Sequence, residues 1–337
     1  MKERQARKLH AVLNRKHTGW AGLALVCALS AAACGGSATP SVKTHTIAMV
    51  MAQLPSTFDG PIVKGVKDEA AKLGNITVNA QGPNQQSATA QVPFLVSTLA
   101  THPDALIIHP ADPQALLGSL TGYFNANIPV LTTLSSIPSD KITAGWIGDY
   151  TAEGHDQADA MCTLMGGKGV VQLMQYDLSD PAGVNRVTGF KAEMAIKCPT
   201  VTFLPPDVTG PNSTIAAAHA KADLIAHPNI TGFFANGSLV GIGVIAGVGD
   251  QAAAGKLVIG TDGGDAALVN SMNQGRVQVL SCDDTYQEGV AAVDALADIW
   301  AGKTVSKTVT NLNEDVTFTK AQVNDPKVTD CISRAVA

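Results

Sequence analysis

Short apolar runs alternate with helix-spaced stretches along most of this 337-residue chain, and no other feature limits the fold as strongly. Residues 46–52 are almost continuously apolar, as in a strand buried on both faces, and residues 62–73 carry apolar side chains at three- and four-residue spacing. Alternation of this kind is typical of α/β proteins with helices covering parallel sheets. Further strands are predicted at 76–80, 105–108, 128–131, 169–174, 201–203, 230–235, 257–260 and 277–281.

The intervening segments predict helices, and the pattern restarts after Asp149. This restart predicts two doubly wound parallel-sheet lobes. Binding sites in open parallel sheets lie beyond the carboxyl ends of the strands, and two lobes can face each other across a cleft. The loops after the strands are therefore the candidate site. The helices are predicted at 62–73, 85–101, 113–125, 151–165, 185–196, 213–226, 239–248, 266–273 and 287–300.

The amino-terminal segment predicts export. Six Lys and Arg residues lie within positions 2–16, and an apolar stretch from 20 to 33 follows them. That stretch is too short to span a bilayer comfortably, and it ends in small residues before Cys34, as signal peptides do. Residues 35–43 are predicted to form a short flexible tether.

Composition and motifs exclude several function classes. The net charge of −5, without a basic stripe after the signal segment, argues against nucleic acid as a partner. Phosphate-binding glycine loops, the G-x-S-x-G elbow and H-E-x-x-H are missing from the sequence. No catalytic residue, cofactor or metal site is predicted.

Four cysteines would remain beyond the signal segment and Cys34: Cys162, Cys198, Cys282 and Cys331. An even number outside the cytosol predicts two disulfides, with three pairings open. Four buried thiols are the alternative.

Polar residues cluster where the predicted strands end. Carboxylates accept hydrogen bonds from hydroxyls, Asn donates and accepts, and Arg presents a rigid fork of donors, so the set would suit a hydroxyl-rich ligand. The alternative is that these Asp and Ser residues cap helices. His109, at the end of a predicted strand, either contacts the ligand or packs there. The candidates are Ser56, Asp59, Asp149, Arg186, Asn236, Asp262, Asp283 and Asp284.

Residues 30–37, S-A-A-A-C-G-G-S, resemble the lipobox of bacterial lipoproteins, with Ala31 in place of the usual Leu. The resemblance implies that residues 1–34 are a lipoprotein signal peptide with a lipobox. It also implies that lipid on Cys34 anchors the protein to the outer face of the cell membrane. Cleavage at a nearby Ala without lipidation is the alternative.

The segments A-L-I-I-H-P-A-D, I-G-D-Y-T-A-E-G, N-R-V-T-G-F-K and I-G-T-D-G occur in an order and spacing that resemble the ribose-binding type of periplasmic sugar-binding protein. The likeness spans residues 44 to about 312. It implies the type I periplasmic binding fold, with three crossovers near residues 147, 283 and 312. Lobe one would hold 44–147 plus 284–312, and lobe two 148–283 plus 313–337. This family shares its two-lobe fold with LacI-type regulators, but the export signal and the missing helix-turn-helix exclude that class.

The resemblance also assigns residues. It implies ligand contacts from Ser56, Phe58, Arg186, Asn236 and Asp262. Ribose-type proteins have a glutamine at the place of Asp283, an aromatic residue at Asp59 and a phenylalanine at Thr261, so a ligand other than ribose is expected. Trp146 or Tyr176 could supply a replacement ring. The lobe division favours the disulfides Cys162–Cys198 and Cys282–Cys331, both inside lobe two, where they would not lock the cleft.

The implied function is capture of a small polyhydroxylated ligand, a sugar or polyol, by a monomer that delivers it to an ABC permease and its ATPase. One alternative is a receptor for a sugar-like signal that feeds a sensor. Another is a carbohydrate-active enzyme that uses paired Asp residues.

Overall fold

The computed structural model describes residues 43–56, 58–178, 180–307, 310–312 and 315–335. The predicted signal peptide 1–34, Cys34 and all of the predicted tether except Lys43 lie outside the described residues. Within the described ranges, no helix combines the length and apolar character needed to cross a membrane.

The first sheet is wholly parallel, in the order β12-β5-β4-β3-β1-β2. Its central strand β1 is buried on both faces. Ile47 and Met49 pack with the helices α1 and α10, while Ala48 and Val50 pack with α2 on the other face. The elements are β1 (His45–Val50), α1 (Asp59–Leu73), β2 (Ile76–Gln81), α2 (Ala88–Leu99), β3 (Ala105–Ile108), α3 (Pro113–Leu116), α4 (Thr121–Asn125), β4 (Val130–Thr133), β5 (Ala144–Ile147), α10 (Thr285–Trp300) and β12 (Thr310–Asn311).

The second sheet has the order β13-β11-β10-β9-β6-β7, with β8 beside β6. Its pairings are parallel except that β13 runs antiparallel to β11. Phe233 and Phe234 are neighbours on β9 and enter the cores on opposite faces of this sheet. The elements are α5 (Tyr150–Leu164), β6 (Lys168–Gln175), α6 (Pro181–Lys197), β7 (Thr200–Phe203), β8 (Asp207–Val208), α7 (Ser213–Ala226), β9 (Gly232–Asn236), α8 (Ser238–Val248), β10 (Val258–Asp262), α9 (Ala266–Asn273), β11 (Val279–Cys282), β13 (Val316–Thr319) and α11 (Pro326–Ala335).

The chain passes between the two sheets after β5, after β11 and after β12. Helix α5 packs on the second sheet, whereas α10 packs on α1 and β5 of the first. The predicted fold class, two doubly wound lobes joined by three crossovers, is confirmed. The antiparallel β13 departs from the expected wholly parallel arrangement.

Some local predictions were incomplete. The helix predicted over 113–125 consists of α3, a 3₁₀ turn at Leu117–Leu120 and α4. Gly118 and Gly122 lie within this stretch and favour a helix poorly. Strands β5, β8, β12 and β13 and the helix α11 were not predicted.

Both favoured disulfides are confirmed. Cys162–Cys198 joins α5 to the end of α6, and Cys282–Cys331 joins the end of β11 to α11. Their Cα atoms are 6.0 Å and 6.2 Å apart, within the usual range for disulfides.

Candidate ligand-binding site

A cavity of about 510 Å³ lies where strands of both sheets end. It falls within the size range of small-molecule sites. The first-sheet side contributes residues that follow β1, β3 and β4, and the other side contributes residues that follow β6, β9, β10 and β11. The polar and aromatic lining residues are Gln53, Ser56, Phe58, Asp59, Gln86, His109, Tyr150, Tyr176, Asp180, Arg186, Ser238, Asp262, Asp265 and Asp283.

Arg186 is the central residue of the cavity wall that the second sheet forms, called here the second-sheet wall. The residue is 2% exposed, and its guanidinium donates from Nε to Glu153 (2.7 Å), from Nη1 to Asn236 Oδ1 (2.9 Å) and from Nη2 to Asp283 (3.1 Å). Asp262 lies 3.7 Å from Nη1, and the ring of Tyr150 stacks under the guanidinium at 5.0 Å. The planar fork is therefore fixed from several sides, as a binding site for a small polar ligand requires.

Close helix packing brings Glu153 to Arg186. A Cβ atom on Gly154 of α5 would stand 2.1 Å from the carbonyl oxygen of Arg186, and one on Gly189 of α6 would stand 2.1 Å from that of Thr151. Only glycine fits at such approaches. The two glycines let α5 and α6 pack backbone to backbone, and this contact sets the Arg186–Glu153 ion pair.

Negative charge exceeds positive charge around Arg186. Burial raises the pKa of Glu153 to about 8, although Arg186 opposes the shift. Burial, followed by the Glu153 carboxylate, raises the pKa of Asp283 well above its ordinary value, again against Arg186. Burial lowers the pKa of Arg186, but Asp262, Glu153 and Asp283 raise it well above its ordinary value, so the guanidinium stays charged.

Asp262 and Asn236 close the second-sheet wall at the ends of β10 and β9. Asp262 Oδ1 accepts from the backbone N–H of Gly237 at 2.7 Å, which orients the carboxylate. Among the described residues, Asp262 Oδ2 and Asn236 Nδ2 are buried without a hydrogen-bond partner. Such groups are costly to leave unpaired. Asp262 Oδ2 therefore remains as an acceptor for a ligand in the cavity, whereas Asn236 Nδ2, which is not part of the lining, remains as a donor for water.

A buried acid–histidine pair forms the first-sheet wall. His109 Nδ1 lies 2.7 Å from Asp59 Oδ1, and the other carboxylate oxygen accepts from the backbone N–H of Gln53. Burial lowers the pKa of His109, but Asp59 raises it by more, so the net shift is upward. His109 therefore lines the cavity, where it could contact a ligand, and it is also held in place by Asp59. Ligand contact and packing, which the sequence presented as alternatives, are compatible here.

Ser56 has a local role in the same wall. Its hydroxyl oxygen accepts from the backbone N–H groups of Phe58 and Asp59, both at 3.2 Å, at the start of α1. Ser56 therefore organises the turn into the helix, the role expected of a capping serine, while it also lines the cavity.

Three rings face the cavity: Phe58, Tyr150 and Tyr176. The hydroxyl of Tyr176 donates to Asp180, the N-cap residue of α6. Of the two proposed replacement rings, Tyr176 lines the cavity and Trp146 does not. Trp146 lies in β5 and packs in the core with Leu131 and Ala144, because β5 is a buried central strand.

The structure separates the nine predicted ligand residues into groups. Asp284 lies outside the lining, and its carboxylate accepts hydrogen bonds from an arginine of α11. Asn236 lies behind Arg186 and accepts its hydrogen bond, and it is not a lining residue. Asp149 also lies outside the lining, because its carboxylate accepts from the backbone N–H of Ala152 and caps α5. The residues that line the cavity are Ser56, Phe58, Asp59, Arg186, Asp262 and Asp283.

Sequence patterns missed several residues of this region. Glu153 and Tyr150 lie in the first turn of α5. An acidic residue at the start of a helix is already explained by its favourable interaction with the helix dipole. Gln53, Gln86 and Asp180 lie in loops and carry no motif. The signal available in the sequence for a site residue was a polar side chain directly after a predicted strand. Gln53 lies in such a position.

These features define a two-lobed binding protein of the type I periplasmic class, with its site between the lobes. Residues 47–304 match the family described as periplasmic binding protein domain, and the chain belongs to that family.

Individual relatives agree with this assignment. The chain is 27% identical over 271 residues to the ribose import binding protein RbsB of Bacillus subtilis, covering 79% of this chain and 85% of that one. It is 24% identical over 273 residues to a xylitol-binding protein of Mycolicibacterium smegmatis, covering 80% and 77%. A carbohydrate transporter solute-binding protein from Agrobacterium radiobacter, solved with D-arabinose, has a similar fold, with a TM-score of 0.79, 21% identity, and coverage of 87% of this chain and 100% of that one.

Proposed function

We propose that this protein captures a small polyhydroxylated molecule, a sugar or polyol, and delivers it to an ABC importer. The observation that carries the proposal is Arg186 held in a cavity between two lobes, beside Asp262, whose Oδ2 has no hydrogen-bond partner among the described residues. Fixed donors and acceptors in a desolvated cavity suit a ligand whose hydroxyls both donate and accept. Relatives that import ribose or bind xylitol support the same class of ligand.

The proposed binding residues are Ser56, Phe58, Asp59, Arg186, Asp262 and Asp283, which line the cavity, with Asn236 orienting Arg186. We propose lobe one as 44–147 plus 284–312 and lobe two as 148–283 plus 313–337. Closure of these lobes around the sugar would add the second wall's contacts, and the closed form would be the one that docks to the permease.

We further propose that the protein acts outside the cytoplasm as a monomer, anchored through lipid on Cys34. The basic, apolar and small-residue order of positions 2–34 supports export. A diacylglycerol would hold the chain stably, whereas a single acyl chain anchors only weakly.

A thermal-shift screen across pentoses, hexoses, polyols, inositols and amino sugars tests the proposal, because a ligand that binds the folded state raises Tm. We expect at least one sugar or polyol to raise Tm and to be recovered unchanged. Asp262→Ala should weaken binding of that ligand by about 10- to 100-fold, the cost of a hydrogen bond to a charged group. Arg186→Ala should abolish the response.

Asp250→Ala is the matched control. Asp250 is an exposed aspartate paired with Arg276 on the second lobe, away from the cavity. Its variant should retain the parent's affinity. An unaltered ligand response in Asp262→Ala and Arg186→Ala would refute the site, and consumption of the sugar would refute binding without catalysis.

A further inference from the structure

Three carboxylates converge next to Arg186, and of these only Asp283 also lines the cavity. One oxygen each from Glu153, Asp283 and Asp315 lies within 4.8 Å of the other two. Three atoms at such separations can all lie about 2.4–2.8 Å from one central point, close to the distances of about 2.3–2.6 Å at which oxygens bind Ca²⁺.

Each carboxylate lies at one end of a different passage of the chain between the sheets. Glu153 is in the first turn of α5, after the passage from β5. Asp283 directly follows β11, and Asp315 directly precedes β13. Asp315 also accepts from the backbone N–H of Asp284 at 3.1 Å, so two of the three passages are already in contact here.

The oxygens of this cluster lack partners within the described part of the chain. Three oxygens are buried and accept no hydrogen bond: Glu153 Oε1, Asp283 Oδ1 and Asp315 Oδ2. Glu153 and Asp283 are only 3% and 6% exposed, so little water can reach their carboxylates. Unpaired buried carboxylate oxygens are rare, because each loses its hydration without replacement. They point to a bound species that replaces water.

A neighbouring amide shows the same deficit. Gln157 is fully buried, and neither its Oε1 nor its Nε2 has a hydrogen-bond partner among the described residues. It follows Glu153 by one helical turn and so lies on the same face of α5. Gln157 therefore offers a buried, unpaired amide on the helix face that carries Glu153.

The balance of charges around Arg186 indicates that the bound species is a cation. Arg186 contacts Glu153 and Asp283 through their other oxygens and lies near Asp262, so one positive charge faces three carboxylates before Asp315 is counted. Buried charge of one sign needs a counter-charge. Ligand in the cavity does not reach Glu153 or Asp315, which are outside its lining.

We propose that Glu153, Asp283 and Asp315 bind a divalent cation of the size of Ca²⁺ at the junction of the three interlobe passages. Oxygen-only ligands select a hard cation, and their wide spacing suits Ca²⁺ better than the smaller, strictly octahedral Mg²⁺. The ion would hold the passages together and set the position of Arg186 through Glu153 and Asp283.

The test uses the folded, disulfide-bonded protein, treated with EDTA and then dialysed, without any sugar. Adding 10 mM CaCl₂ should raise Tm by about 3–8 °C, as expected for a Kd of about 0.1–1 mM. MgCl₂ at the same concentration should raise it by less than half as much, and equilibrium dialysis with elemental analysis should find about one Ca²⁺ per chain. Because no sugar is present, this result does not depend on the proposed function.

Asp315→Asn keeps the shape and an acceptor for Asp284 but removes a charge, so it should abolish the Ca²⁺-dependent rise. Asp330→Asn, an exposed acid on α11, should retain the full rise. Gly148→Ala provides a second variant, because its Cβ would stand 2.4 Å from Asp315 Oδ2 and displace it. It should lower the Ca²⁺ affinity at least tenfold.

A wild-type Tm that is indifferent to Ca²⁺, or a rise that Asp315→Asn fully retains, would overturn the proposal. A Tm that varies with pH but not with Ca²⁺ would assign the cluster to a shared proton instead and would overturn it as well. Elemental analysis of the wild type decides the question even if Asp315→Asn does not fold.

Discussion

At the scale of single residues, the His109–Asp59 pair makes the stability of the cavity wall depend on pH. Asp59 raises the pKa of His109 despite the opposing effect of burial. A histidine whose folded pKa lies above its unfolded value of about 6.5 stabilises the fold below that value. The contribution is lost as pH rises through the folded pKa.

We therefore expect the free energy of unfolding to decline from about pH 6.5 upward because of this pair. In His109→Gln, which cannot carry the charge, the decline in that window should be smaller. Tm measured across pH 5.5 to 9 would show it, with His102→Gln, an exposed histidine, as the control. Equal slopes in His109→Gln and the wild type would contradict the assignment.

Single residues also mark what a sequence can reveal about the site. Arg186, Asp262 and Asp283 were predictable because polar residues next to strand ends converge in parallel sheets. Asp149 occupies a similar position but caps a helix, and local sequence does not separate the two roles. Asp315 was not predictable, because its partners come from distant parts of the chain.

At the scale of elements, long periodic segments were predictable and short polar ones were not. α7 and α9 begin and end at the predicted residues, and the strands buried on both faces appear as apolar runs. β13, with the sequence VTFT, has one fully buried side chain, and α11 is rich in polar residues. β13 is stabilised by its pairing with β11 rather than by a pattern of its own. In α11 the apolar residues do recur at helical spacing and face the core, so its pattern was present in the sequence and was missed; they are Val328, Cys331, Ile332 and Ala335.

The contact between α5 and α6 is the element-scale feature on which the site depends. Gly189→Ala would place a methyl group 2.1 Å from a backbone oxygen, which cannot move without shifting α5. We expect it to lower the free energy of unfolding by about 1–3 kcal/mol, as overpacking does. It should also weaken sugar binding, because the Arg186–Glu153 pair spans this contact.

Urea unfolding and ligand titration of Gly189→Ala would measure both effects. Gly118→Ala is the matched control, because a Cβ at Gly118 meets nothing within 4 Å. It should be neutral or stabilising by up to about 1 kcal/mol, since alanine loses less backbone entropy than glycine. Equal free energies of unfolding in Gly189→Ala and Gly118→Ala would contradict the role given to the close contact between α5 and α6.

At the scale of the whole molecule, the covalent structure allows one lobe to rotate against the other. Both disulfides join elements that pack on the second sheet, and neither bridges the cavity. The connections between the sheets are the three chain passages. Covalent bonds elsewhere therefore do not oppose rotation of one lobe against the other.

The cavity lies between the lobes, so that motion would change its width. Arg186 and Asp262 line the cavity but are only 2% and 1% exposed, so separation of the lobes would make both more accessible to a sugar. Without ligand, open and closed forms should exchange, and a sugar that contacts both walls should shift the population toward the closed form.

Spin labels at Ser97→Cys on α2 and Lys221→Cys on α7 would report the distance between the lobes, since both positions are exposed and lie on helices of different sheets. The sugar that raises Tm most should shorten and narrow this distance distribution. Labels at Ile196→Cys and Lys221→Cys, both on the second lobe, should give a distance that the sugar leaves unchanged. If the interlobe distance is also unchanged at saturating sugar, binding does not close the lobes, and release to an importer must be controlled in another way.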